Sequence, residues 1–109
     1  MLGNNIFAIF VNMERRQQII YWLKEILDKN LSGISYDAFI FGSQANKTLL
    51  SRSDIDVGVM SEDKITSFQF SKISADIENL PMLYKIDLVN FEEVDPQFKS
   101  IALKNIERL

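Results

Sequence analysis

Three short runs of branched and aromatic residues, Tyr36–Phe41, Asp54–Met60 and Tyr84–Asn90, alternate with stretches whose apolar residues recur at a helical period. That alternation is the strongest constraint on the fold. From Met13 to Asn30, Ile19, Ile20, Leu23, Ile26 and Leu27 make one apolar stripe, and Gly33 closes the connection to the first strand. Gly42 ends that strand, Ser43 to Leu50 reads as a short helix, and Ser51-Arg52-Ser53 as a polar turn. Ser61 can cap a helix from Glu62 to Asn79, with Ile65, Phe68, Ile73, Ile77 and Leu80 at helical spacing and Pro81 as its stop. Asp95-Pro96 opens a last helix that turns Phe98, Ile101, Ala102 and Ile106 inward. The order α-β-α-β-α-β-α in 109 residues, with no repeat or linker, predicts one domain of the α+β (α/β) class.

Composition narrows the chemistry. The chain has no cysteine and no histidine, which removes thiol nucleophiles, Cys-type zinc sites and the commonest general base. A bound metal must be held by oxygen, and carboxylates suit Mg²⁺, Mn²⁺ or Ca²⁺. The net charge of −3 argues against direct nucleic-acid binding through a basic surface. The longest apolar run, Ile6–Val11, is far short of the ~20 residues a membrane span needs. Residues 1–12 lack the pattern of a secretory signal and read as an N-terminal arm or extension, with Met13 as an alternative start; a cytoplasmic location is expected.

The segment from Gly42 to Asp56 is the most informative. In a strand, Asp54 and Asp56 point the same way with Cα atoms about 6.5–7 Å apart, while Ile55, Val57 and Val59 point into a core. Two like charges on one face are destabilising without a positive neighbour, and a divalent cation is the natural one. Gly42 permits a tight turn, and Ser43 at the start of the next helix places free N–H groups and a hydroxyl where a phosphate would sit. In Tyr84–Asn90, Tyr84, Ile86 and Leu88 share one face and Lys85, Asp87 and Val89 the other. On a neighbouring strand, Asp87 would complete a three-carboxylate cluster able to bind a second ion and accept a proton from an attacking hydroxyl.

Gly42-Ser43, ten residues, Asp54-x-Asp56 and the later strand Asp87 resemble the DNA polymerase β-type nucleotidyltransferases, above all the stand-alone minimal nucleotidyltransferases (MNT) that partner HEPN-domain proteins. The resemblance spans residues 13–109 and implies a small mixed β-sheet with helices packed on one side. It implies that Asp54, Asp56 and Asp87 are catalytic and hold two Mg²⁺ ions, with Mn²⁺ as a substitute, and that Gly42 and Ser43 contact the nucleotide phosphates. The implied reaction moves AMP from ATP to a hydroxyl, a tyrosine of a cognate HEPN toxin, which makes the protein the antitoxin of a toxin–antitoxin pair. Gln44 stands where many relatives have Arg, and Lys47 where they have Gly; Lys47 and Arg52 are the candidate replacement charges toward the triphosphate.

Blander readings stand beside these. Asp54 and Asp56 can be a solvated strand edge, Ser43 a plain helix cap, and Asp87 a surface acid paired with Lys85. A protein with this fold can also neutralise a HEPN-type nuclease by occlusion alone, or act on a small molecule whose site a partner supplies. Ile6–Val11, Tyr21, Trp22, Phe68 and Phe70 exceed what so small a core can hide, which predicts association with a HEPN-type partner or as a homodimer.

Overall fold

The computed structural model describes residues 15–42, 54–81 and 84–109, apart from the Arg15 side chain. The N-terminal arm with Met13, the expected Ser43–Leu50 helix and the turn after it therefore lie outside the described residues, and with them Ser43, Gln44, Lys47 and Arg52. The described elements run α1 (Arg15–Asn30), β1 (Tyr36–Phe41), β2 (Ile55–Ser61), α2 (Ser67–Glu78), β3 (Ile86–Asn90), α3 (Pro96–Ala102) and β4 (Glu107–Arg108).

The strands form one mixed sheet in the order β3-β2-β1-β4. β1 is antiparallel to both β2 and β4, while β2 and β3 run parallel. A parallel pair needs a crossover, and α2 supplies it. Period-two alternation splits the sheet into two environments. Tyr36, Ala38 and Ile40 of β1, Ile55, Val57 and Val59 of β2, and Ile86 and Leu88 of β3 join Ile19, Leu23 and Leu27 of α1 and Ile73 and Ile77 of α2 in the main core. The two long helices thus pack on one side, as the resemblance implies. Asn30 at the end of α1 donates from Nδ2 to the Ile26 carbonyl and to Asp76 Oδ2 of α2, both at 2.9 Å, which fixes the helices to each other.

The opposite face carries a smaller cluster of Phe39, Phe41 and Phe91, flanked by Met60, Val89, Ala102, Leu103 and Ile106. The Phe39 and Phe91 rings meet edge to face, centroids 4.9 Å apart. They close over Gly58, where a Cβ would lie 2.5 Å from Phe39 Cε2 and 2.6 Å from Phe91 Cε1. Gly58 is therefore a packing requirement of this face.

Two expectations need correction. Ser61 does not cap the second helix. It ends β2, with its hydroxyl donating to the Ser35 carbonyl at 2.9 Å and accepting from Asp63 N–H at 3.1 Å. The helix starts at Ser67 behind a capping box, in which Gln69 N–H donates to Thr66 Oγ1 at 3.1 Å and Thr66 N–H donates to Gln69 Oε1 at 2.8 Å. We expect Thr66→Ala to lower stability by about 1 kcal/mol, read as a shift in urea midpoint at unchanged slope.

The last helix is the second correction. It opens as expected, with Pro96 at its first turn and Asp95 Oδ1 accepting from Gln97 N–H at 2.7 Å, but it stops at Ala102. Ile106 lies outside it, and Glu107–Arg108 instead pair with Ile40 and Phe39 of β1. The free edge of β1 and an ion pair from Arg16 of α1 to Glu107 hold this end of the chain. Ile101, 61% exposed, is not turned inward, whereas Phe98, 45% exposed, sets its ring against Phe41 and Phe91 with centroids 6.1 and 6.0 Å away. Phe68, at 74%, is exposed too, whereas Trp22 and Phe70 pack on the main core.

Candidate active site

The alternation that buries Ile55, Val57 and Val59 completely leaves Asp56 on the opposite face. Register then decides which neighbours it meets. Asp56 pairs across the parallel ladder with Asp87 and across the antiparallel ladder with Phe41. With strands about 4.8 Å apart, the two carboxylates are lateral neighbours on one face. A slip of one residue in β3 would have sent Asp87 into the hydrophobic core. Asp54 precedes β2 by one residue, exposed, close enough for its charge to act on Asp56.

The electrostatics follow from this placement. Asp56 is half-buried, and its carboxyl is held above the usual carboxylate range, first by desolvation, then by the charges of Asp87 and Asp54. Gly42 adjoins the same carboxylate. Its φ of +74° is a left-handed conformation that favours glycine, and a Cβ there would lie 2.8 Å from Asp56 Oδ2. The glycine that ends β1 thus serves two purposes: it turns the chain and leaves space for an acid. The turn was legible from the sequence; the space was not, because it depends on the β1–β2 register.

All donors in this group are carboxylate oxygens, the kind that suits Mg²⁺ or Mn²⁺, and the mutual repulsion felt at Asp56 is what a cation would relieve. As the side chains stand, no three acids among the described residues are gathered tightly enough to enclose an ion. Asp87 Oδ1 instead lies 3.7 Å from Nζ of Lys85, two residues earlier on the same face. Asp56 and Asp87 stand side by side on one face of the sheet, with Asp54 one residue ahead of β2. Elsewhere, Asp37, Glu62, Asp63 and Glu92 line an open cavity of about 500 Å³ at the other end of β1 and β2. No described helix is long and apolar enough to cross a membrane.

No curated protein matches the chain. Among solved structures, similarity extends to an MNT antitoxin complex with a tri-AMPylated HEPN toxin from Shewanella oneidensis (16% identity, 84% of this chain and 69% of that one, TM-score 0.63). It extends to a toxin–antitoxin structure with AMP-PNP (17%, 81% and 69%, TM-score 0.63) and to a further Shewanella oneidensis structure (17%, 88% and 71%, TM-score 0.66). At these identities the likeness is one of fold. The sequence itself matches the family model for polymerase beta nucleotidyltransferases over residues 22–109, most of the chain and all three acid positions. A match of that extent, on a mixed sheet that sets Asp56 beside Asp87, makes this chain a member of the polymerase β-type nucleotidyltransferase family.

Proposed function

We propose that this protein is an Mg²⁺-dependent nucleotidyltransferase of the MNT kind, which transfers AMP from ATP to a tyrosine hydroxyl of a HEPN toxin and so acts as its antitoxin in the cytoplasm. The observation that carries the reading is the Asp56–Asp87 register pair, with the charge of Asp54 acting on Asp56. The toxin and nucleotide named for the similar structures support the choice of acceptor and of ATP.

In this reading Asp54, Asp56 and Asp87 would hold the divalent ions, and Gly42 and Ser43 would contact the nucleotide phosphates. When bound, the ions supply charge neutralisation along the triphosphate and on departing pyrophosphate. Asp87 accepts the acceptor hydroxyl's proton; the oxygen forms its bond to the α-phosphorus as the α–β bridging oxygen leaves with pyrophosphate.

The test is incubation with α-labelled ATP, Mg²⁺ and the HEPN protein encoded beside this one, followed by electrophoresis and mass spectrometry. Label on a tyrosine supports the reading, and none overturns it. Gln44 and Lys47, which depart from the pattern of many relatives, favour a second reading, in which the protein occludes the toxin without chemistry. Acid-to-amide variants that still protect cells would select it.

A further inference from the structure

Lys85 is the cation that the described residues bring into ion-pair range of the acid face. It stands one residue ahead of β3 at the level of Asp54: the Ile55 N–H donates to the Lys85 carbonyl at 2.9 Å, and Ile55 pairs with Ile86. Alternation puts Lys85 and Asp87 on the same side of the strand, and the ammonium group reaches Asp87 Oδ1 at 3.7 Å. Both partners are open to water, 71% and 42% exposed. An ion pair so exposed is weak, and it is easily exchanged for another. The same oxygen cannot be fully shared by an ammonium group and a divalent ion, whose charges repel at that distance.

Resting on the nucleotidyltransferase reading above, we infer that Lys85 is an exchangeable counter-charge: it holds Asp87 while the site lacks a divalent ion, yields that carboxylate when one binds, and then offers its ammonium group to the nucleotide triphosphate. This gives the pair a purpose beyond surface neutralisation. Without an ion, it softens the repulsion between laterally paired Asp56 and Asp87. With one, Lys85 is a released positive charge at the end of the sheet where Gly42 turns, in a chain that has Gln44 after Gly42-Ser43. Lys85 is thus a positioning residue toward the metal and a binding residue toward the nucleotide.

The two roles have opposite signs in one variant. Lys85→Ala is expected to bind Mn²⁺ about two- to fivefold more tightly in the absence of nucleotide, by titration calorimetry or electron paramagnetic resonance, since a competitor of exposed-pair strength is gone. The same variant is expected to bind a non-hydrolysable ATP analogue with Mn²⁺ several-fold more weakly. Lys85→Arg should restore both affinities toward the wild type, and Lys72→Ala, on α2, should change neither. Unchanged or weaker Mn²⁺ binding in Lys85→Ala, or unchanged analogue binding, overturns the exchange. The side chain is exposed, so folding is not at stake; circular dichroism melts of Lys85→Ala and Lys85→Gln check this. A wild-type protein that binds no Mn²⁺ overturns the metal reading itself and this inference with it, whereas normal wild-type binding with an indifferent Lys85→Ala removes only the exchange.

Discussion

Asp56→Asn is expected to lose nucleotidyl transfer by at least about 10²–10³-fold while melting at a higher temperature than the wild type at neutral pH. The loss follows from its position at the centre of the acid group, beside both Asp87 and Asp54. The gain follows from the direction of its pKa. A carboxyl held above its ordinary range favours folding most when protonated, so its contribution is complete below the unfolded value and is lost as pH rises through the folded one. At neutral pH the wild type therefore carries the full penalty of a desolvated, repelled charge, and the neutral amide does not. The difference in melting temperature should shrink in acid and vanish below about pH 3.9, where the wild-type carboxyl is protonated in both states. Parallel transfer assays and calorimetry across pH check both halves. Retained transfer, or a lower melting temperature at neutral pH, contradicts the assignment.

Gly58→Ala is expected to destabilise the fold by about 1–3 kcal/mol, and Gly58→Val by more, measured as a fall in urea midpoint. The new Cβ would sit 2.5–2.6 Å from two ring edges. Neither ring has room to retreat: Phe39 and Phe91 are each 1% exposed and pack edge to face with each other, and Phe91 also meets Phe41 with centroids 5.0 Å apart. The strain falls on β2, two residues from Asp56 on the same face. Transfer by the folded fraction of Gly58→Ala should therefore fall as well, through the displacement of Asp56 relative to Asp87. A variant as stable as the wild type would show that the aromatic cluster can open.

Much of this was legible in the sequence, for identifiable reasons. β1 has its expected bounds because branched and aromatic residues end abruptly at Gly42, and β2 and β3 are found within one or two residues of theirs. β4 escaped because two polar residues, Glu107 and Arg108, carry no strand signal; their pairing is created by an edge of β1 distant in sequence. The start of α2 was available in Thr66-Ser67-Phe68-Gln69, whose T-x-x-Q spacing is a capping-box pattern, but Ser61 sat nearer the end of a strand and competed for the role. At the site, alternation told which residues share a face with Asp56. It did not tell that Asp56 and Asp87 would stand side by side, because register is set by contacts across the sheet.

The strand order gives the two central acids unequal mechanical support. β2 is bonded along both flanks, by β1 and β3, whereas β3 has a ladder on one flank among the described residues. Asp56 is consequently mounted on the stiffest part of the sheet and Asp87 on a more compliant one. A site with one anchored and one yielding side can adjust its spacing without disturbing the hydrophobic layer beneath.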